Sequence, residues 1–456
     1  MWYHNHLEGR RNAVKIFKRM VGAAVCAALA VSLSGCVMTV DQMYVPPRRS
    51  ESYQNLQAVM DEVMEGLEYC APITGENQQT VQMADLDGDG MKEVVVFVKG
   101  NDENPLKVLV FRMEDGEYVP LTVIESTGTA YDQVEYIQMD GRPGLELVVG
   151  RQVSEQVMRN LTVYRFSGGQ PEQLLTVNYH KYLDLDMNQD GLGDLFVLRP
   201  GRTDTDCGVV ELYAAPDGSI ARSAEVSLSQ PVGQLKRIMT GSLHGGERAV
   251  FAASTVDAET IVTDVYALVD GTLTNVSMSN ESGTSVKTVR NYYVYAEDID
   301  GDSILELPSL ISMRWPMEGR SLEEREHLIR WYALGADGSE HDKRFTYHNY
   351  LQGWYMEVDG DLAGRLCVMP EDTGRFAFCL WDRNFEQLSR LWTVHVLTGE
   401  DRSSVAAEDG RFVLLKTDNV VYAARLEDGA LEAGITQDKL INSFFLIQSD
   451  WKTGEM

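Results

Sequence analysis

The chain has 456 residues, with 40 Lys and Arg against 69 Asp and Glu, a formal net charge of −29. Binding to phosphate backbones needs a basic surface, so this balance argues against nucleic acid as a partner. The length exceeds an ordinary single domain, although all-β repeat folds run this long as one unit.

The N-terminus opens with Arg10, Arg11, Lys15, Lys18 and Arg19, followed by an apolar, small-residue stretch from Met20 to Gly35. A membrane-spanning helix needs about 20 residues; this stretch is shorter and suits the apolar core of a secretory signal. Arg10-Arg11 only half matches a twin-arginine signal, so ordinary secretion is expected. The stretch ends in Leu33-Ser34-Gly35-Cys36, which resembles the lipobox of bacterial lipoproteins. The resemblance implies that residues 1–35 are removed and that Cys36 carries the lipid as the new N-terminus. Residues 1–35 hold five of the basic residues and one acidic residue, which leaves −33 on the remainder. No other stretch is long and apolar enough to span a bilayer, so the expected anchor is lipid and the location is extracytoplasmic.

Residues 36–50, with Pro46-Pro47 and Arg48-Arg49, read as a tether. Residues 51–77 read as a helix and connector. Ser52 stands as a cap before Leu56, Val59, Met60, Val63, Met64 and Leu67, which fall on one helical face. Such a helix packs on a larger body or binds a partner.

Three acidic loops follow at intervals. Asp85, Asp87, Asp89 and Glu93 form the first, and Asp186, Asn188, Asp190 and Asp194 the second. Asp298, Asp300, Asp302 and Glu306 form the third. Met91, Leu192 and Ile304 stand at the seventh position, where calcium loops offer a backbone carbonyl. Carboxylates on alternate positions of a tight loop repel one another unless a cation lies between them. Calcium takes six to eight oxygens at about 2.3–2.6 Å, and this spacing supplies them. In an EF-hand the closing acid stands at position 12 and a helix follows. Here it stands at position 9 and an apolar strand follows, such as Val94-Val95-Val96-Phe97. The expectation is about three structural calcium sites in a β-repeat. Ser303 weakens the third, because it replaces a turn glycine.

The repeat has a second signature, an apolar strand with an aromatic residue running into a turn. It recurs at Phe111, Tyr164, Tyr213, Tyr266, Tyr332, Trp381 and Tyr422. Most of the turns are Asp-Gly or Gly-Gly, which supply the positive φ of tight hairpins. From Gly116 to Gly429 the mean step is near 52 residues. Such a period, with several strands per unit, is the mark of a β-propeller. The acidic loops precede the first, third and fifth hairpins. Arg142 stands at the third-carboxylate position before the second, the stretch before the fourth has no carboxylate until Glu247, and Arg365 takes the closing position before the sixth. No calcium is expected at these three.

These motifs, over residues 78–430, resemble the FG-GAP/VCBS repeats, the bacterial relatives of the integrin α-subunit propeller. The Phe-Gly and Gly-Ala-Pro signatures are missing, so the VCBS side fits better. The resemblance implies an all-β, seven-bladed propeller of four-stranded antiparallel blades. It also implies calcium loops that stiffen blades, and a role in surface binding or adhesion. With it, residues 78–435 form the propeller and residues 436–456 a C-terminal helix and tail. There Thr436 caps a helix through Leu440, Ile441, Phe444 and Phe445.

Catalytic motifs are not visible: there is no metal-binding His pair on a helix, no nucleophile elbow and no phosphate loop. The aromatic cluster Phe345, Tyr347, Tyr350, Trp354 and Tyr355 reads either as core filling or as a sugar platform. A surplus of residues around Arg314 to Glu326, with Trp315, reads as a hairpin extension or a binding loop. Cys367 and Cys379 flank one hairpin turn, either as a cross-strand disulfide or as small packing residues. The expected function is a lipid-anchored, calcium-binding surface module for a glycan, wall polymer or protein. The alternative is a propeller hydrolase or lyase acting on polysaccharide, since paired carboxylates abound.

Overall fold

The computed structural model describes residues 51–153, 159–203, 206–258, 260–279, 285–291, 294–316 and 327–447. The signal, the tether, Cys36 and most of the surplus segment after Arg314 lie outside the described residues.

The chain divides into two compact units. The smaller holds the helix Glu51–Val63 and the turn 114–119, where Asn55 Oδ1 accepts a hydrogen bond from Tyr118 N at 2.6 Å. The amphipathic pattern is borne out, since Leu56 and Met60 are buried. The cap is not: the helix already runs at Glu51, so Ser52 lies inside it.

The larger unit is all-β. Its described residues form six antiparallel sheets of four or five strands, taken in order along the chain. The first contains Val81–Ala84, Glu93–Lys99, Leu106–Glu114 and Glu117–Ser126, with Glu68–Tyr69 added at one side. The second runs from Ala130–Ile137 to Gln170–Tyr179, the third from Lys181–Leu185 to Ala221–Ser227, and the fourth from Leu235–Ser242 to Thr272–Asn275. The fifth holds Glu306–Ser312, His327–Leu334, Glu340–Asn349 and Trp354–Val358, and the sixth spans Leu366–Asp372 to Val421–Leu426.

Among the described residues six sheets form where seven were expected, because the last two hairpin signals fall in one sheet. Val421–Leu426 pairs with Leu388–Leu397 and with Phe412–Lys416, and Asp428-Gly429 opens a run of turns instead of a hairpin. The C-terminal helix Gln437–Asn442 is capped as expected, with Thr436 Oγ1 accepting from Lys439 N at 3.2 Å. Phe444 and Phe445 leave it for a strand, Phe444–Leu446, that pairs with Trp354–Val358 in the fifth sheet.

The turns follow the sequence pattern. Asp115-Gly116, Gly168-Gly169 and Asp270-Gly271 have positive φ at both positions, the conformation of the tightest hairpins. A further regularity is invisible in sequence. The hairpin after the aromatic strand carries one extra residue in the second, third, fifth and sixth sheets: Leu174, Ser223, Lys343 and Leu391. Such a bulge re-aims the side chain it carries.

The sheets pack face to face in chain order, which explains why their strands read as unbroken apolar runs. Leu147 and Val149 face the first sheet, whereas Val148 faces the third. Leu195 and Val197 face the second sheet, and Phe196 and Leu198 face the fourth. Val250 and Ala252 face the third, and Ala249 and Phe251 the fifth. Alternation along a strand thus feeds two apolar layers, a consequence of the period of two. The layer between the fifth and sixth sheets is the most aromatic, with Tyr347, Trp354, Phe378 and Trp392 all buried.

Cys367 and Cys379 lie directly opposite each other in register. Both are fully buried free thiols, and burial pushes them up to about 12 and about 11.

His348 gives the fold an acid sensitivity. Burial drives its imidazole down to about 3, so it stays neutral in the folded state. The unfolded chain takes up that proton near 6.5. The folded pKa is depressed, so this contribution is present above about 6.5 and is lost as pH falls towards 3, at about 1.4 kcal/mol per pH unit. A His348→Gln variant is expected to show a shallower fall in urea midpoint between pH 6.5 and 4.5. Equal slopes for variant and parent would refute the assignment.

Candidate metal centre

The first two acidic loops join the first and second strands of their sheets, the third leads into Glu306–Ser312 from a single bridge between Glu297 and Glu306, and the backbone of each is built for carboxylates. In the first loop Gly88 N and Gly90 N donate to Asp85 at 2.7 and 3.0 Å, and Met91 N donates to Asp89 at 2.7 Å. In the second, Asp190 N and Gly191 N donate to Asp186 at 3.0 and 2.9 Å. In the third, Gly301 N and Ser303 N donate to Asp298 at 2.7 and 2.9 Å. These loops need left-handed residues at the fourth and sixth positions. Gly88 and Gly90 supply them in the first loop, Gln189 and Gly191 in the second, and Gly301 and Ser303 in the third. Ser303 therefore holds the glycine conformation at φ 69°, a strained place for a side chain.

The closing acid has a constant role. Glu93 accepts from Leu86 N at 2.8 Å, Asp194 from Met187 N at 3.0 Å and Glu306 from Ile299 N at 3.0 Å. All three acids are buried. Burial raises Glu93 above the usual carboxylate range, lifts Asp194 to about 6 and lifts Glu306 to about 7, with the neighbouring loop aspartates adding to the rise. Carboxylate oxygens of Asp85, Asp87 and Glu93 converge within 4.8 Å of one another, as do those of Asp298, Asp300 and Asp302. In the second loop Asn188 Nδ2 donates to Asp190 at 2.9 Å, bringing those two ligand candidates together. Calcium prefers such all-oxygen sets, and the residues fit it.

The loops of successive sheets lie side by side on one edge. Leu145 N donates to Asp85 O at 3.0 Å, Gly193 N to Gln138 O at 2.8 Å, and Leu305 N to Ser242 O at 3.2 Å. Gly88 has no room for a Cβ, which would lie 2.4 Å from Pro143 and Gly144.

The equivalent loops without the motif are filled in other ways. In the second sheet the closing acid survives, with Glu146 accepting from Met139 N at 2.8 Å. Arg142 is not the cation that replaces a metal there: it is half exposed, and its Nε is 3.9 Å from Asp140. Arg165, on the adjacent aromatic strand, fills the loop instead. It is largely buried, pairs closely with Asp140, and reaches Glu146 at 3.4 Å. Sequence reasoning missed it because Arg165 stands 25 residues from Asp140, on a strand that gave no sign of facing the loop. The fourth loop is a tight turn closed by Leu243 N to Glu247 O at 2.8 Å. The sixth acidic segment is not a loop of this kind. Asp359, Gly360 and Asp361 make a helical turn, Gly360–Ala363, linking the fifth and sixth sheets.

The aromatic cluster resolves as packing. Tyr347 and Trp354 are fully buried, and Tyr355 stacks between His348 and Phe445, with ring centroids 5.0 and 5.1 Å away. Its faces are already used by other rings. Of the surplus segment, Arg314 lies over the rings of Trp381 and Phe385, and Trp315 is half-buried.

No family model and no curated protein matches this chain. Among solved structures it is similar to Sqt1 from Saccharomyces cerevisiae, at 9% identity over 78% of this chain and 86% of that one, with a TM-score of 0.28. A protein from Lactobacillus plantarum is similar at 13% identity over 70% and 85% of the two chains, with a TM-score of 0.25. The exotype rhamnogalacturonan lyase YesX is similar at 13% identity over 68% and 60%, with a TM-score of 0.27. Likenesses this distant do not bear on activity.

Proposed function

We propose that this protein is a lipid-anchored, calcium-stiffened β-propeller that serves as a binding module at the cell envelope, for a glycan, a wall polymer or another protein. Four features support the propeller: sheets in chain order, a shared apolar layer between each sheet and the next, matching hairpins, and loops aligned on one edge. Closing such a series into a ring protects strand edges. The observation that carries the calcium reading is the convergence of Asp85, Asp87 and Glu93, with the closing Glu93 raised first by its burial and then by Asp87 and Asp89. A divalent ion there neutralises charges that otherwise repel across a rigid loop. The expected role of the metal is to fix the loops of one edge as a recognition surface, since binding residues commonly sit on loops held by a rigid scaffold.

The test is capture of envelope components from detergent extracts on the immobilised protein, with calcium and with chelator. Retention that disappears in chelator and in Asp87→Ala supports the reading; retention indifferent to both sinks the role given to calcium. The anchor has its own check. Cys36→Ser is expected to abolish incorporation of labelled fatty acid and to release the protein from membranes. A variant that stays labelled would overturn the lipid assignment.

A further inference from the structure

We infer that Lys343 is the resident cation of the third acidic loop, so that this loop is closed to calcium in the native protein. The inference rests on the calcium reading of the other two loops.

Lys343 is the extra residue of the bulge in the fifth sheet. Trp331 pairs with Arg344 and Tyr332 with Asp342, which leaves Lys343 between them without a register partner. In the second, third and sixth sheets the bulged residue is Leu174, Ser223 or Leu391, so among these four sheets only the fifth places a charge there. The third sheet has its own acidic loop, yet its bulged residue is neutral, and Ser223 Oγ donates to Leu212 O at 3.1 Å.

From the bulge the lysine reaches the loop. Its Nζ lies 2.5 Å from Asp302 Oδ2, 3.8 Å from Asp300 Oδ2 and 3.9 Å from Glu306 Oε1. Glu306 is fully buried, and its Oε1 receives no hydrogen bond; neither does the buried Asp300 Oδ1. These oxygens converge on one small space, and the ammonium holds it. A calcium ion needs oxygens at about 2.3–2.6 Å. An ion sharing these oxygens would have to occupy the space of the ammonium or sit against it, charge against charge. The second sheet offers the completed form of the same substitution, with Arg165 between Asp140 and Glu146. There the carboxylate pattern has already gone. In the fifth sheet the pattern remains complete, so its sequence reads as a calcium loop while its cation comes from the chain.

The test is equilibrium dialysis of the full chain against radioactive calcium, comparing the parent with Lys343→Met and Lys343→Arg. The expected result is two ions per chain in the parent and in Lys343→Arg, and three in Lys343→Met. Asp87→Ala is expected to remove one ion from each. Three ions in the parent overturn the inference while leaving the calcium reading intact, and so do two in Lys343→Met. No bound calcium in any protein overturns both. If Lys343→Met fails to fold, the parent count decides: two supports the lysine and three refutes it.

Discussion

Chelation of calcium is expected to lower the thermal midpoint of the protein by many degrees. An ion that binds only the folded state stabilises it by about 2.7 kcal/mol at a hundredfold excess over its Kd. The first and second loops together therefore contribute about 5 kcal/mol, a large part of the margin of a typical domain. Asp87→Ala and Asn188→Ala are each expected to remove about half of the calcium-dependent shift. Asp300→Ala should change it little, because Lys343 already serves that loop. The pH dependence has a definite sign. Asp194 is raised in the fold to about 6, so the metal-free folded state holds a proton that the unfolded chain has released. Without metal, the contribution of this group falls as pH rises from about 4 to about 6. Calcium competes with that proton, so its stabilising effect is larger at pH 7.5 than at pH 5. A melt unchanged by chelator at pH 7.5 would mean that the loops are solvated turns.

Arg165→Met is expected to destabilise the protein by about 3–5 kcal/mol, the usual cost of leaving buried charge without its partner. Asp140 and Glu146 are both buried and share this guanidinium as their close charged partner, the exposed Arg142 lying 3.9 Å from Asp140. The cost is not one of lost volume, since Met fills much of the same space. Neutralising the carboxylates should therefore recover part of it. Urea denaturation of Arg165→Met and of the triple variant Arg165→Met, Asp140→Asn, Glu146→Gln forms a cycle that separates charge from packing. If the triple variant is no more stable than the single one, the guanidinium acts through packing alone.

Much of the scaffold was legible in the residues. Aromatic strands followed by Asp-Gly turns marked the hairpins, and Asp at alternate positions marked the loops, because both patterns depend on neighbours in sequence. Thr436 announced its helix for the same reason. What the sequence concealed depends on neighbours in space. Arg165 and Lys343 meet the carboxylates of their own sheet's loop across its strands, and no spacing rule links them to that loop. The bulge that aims Lys343 is set by pairing between strands. The count of sheets failed at Tyr422, where a strand with the right pattern joined the preceding sheet. Glu357 to Asp361 mimicked a loop because acidic spacing alone does not distinguish a turn between paired strands from a link between sheets.

The strand Phe444–Leu446 has a consequence for how the chain matures. The first four sheets are each assembled from strands that follow one another, so each can form soon after it emerges. The fifth differs. Its edge strand Trp354–Val358 is covered only when the C-terminal strand arrives, with Glu357 N donating to Ser443 O and Ile447 N to Gly353 O at 2.8 and 2.9 Å. Until Phe444–Leu446 has been made and docked, that edge stands open, with Tyr355 beside it. An open, aromatic strand edge is a template for pairing with another chain. A product ending before Phe444 would lose a buried ring packed on Trp354 and Tyr422 and would present adhesive backbone to its neighbours. The strand Phe444–Leu446 therefore turns an exposed edge of the fifth sheet into a paired one.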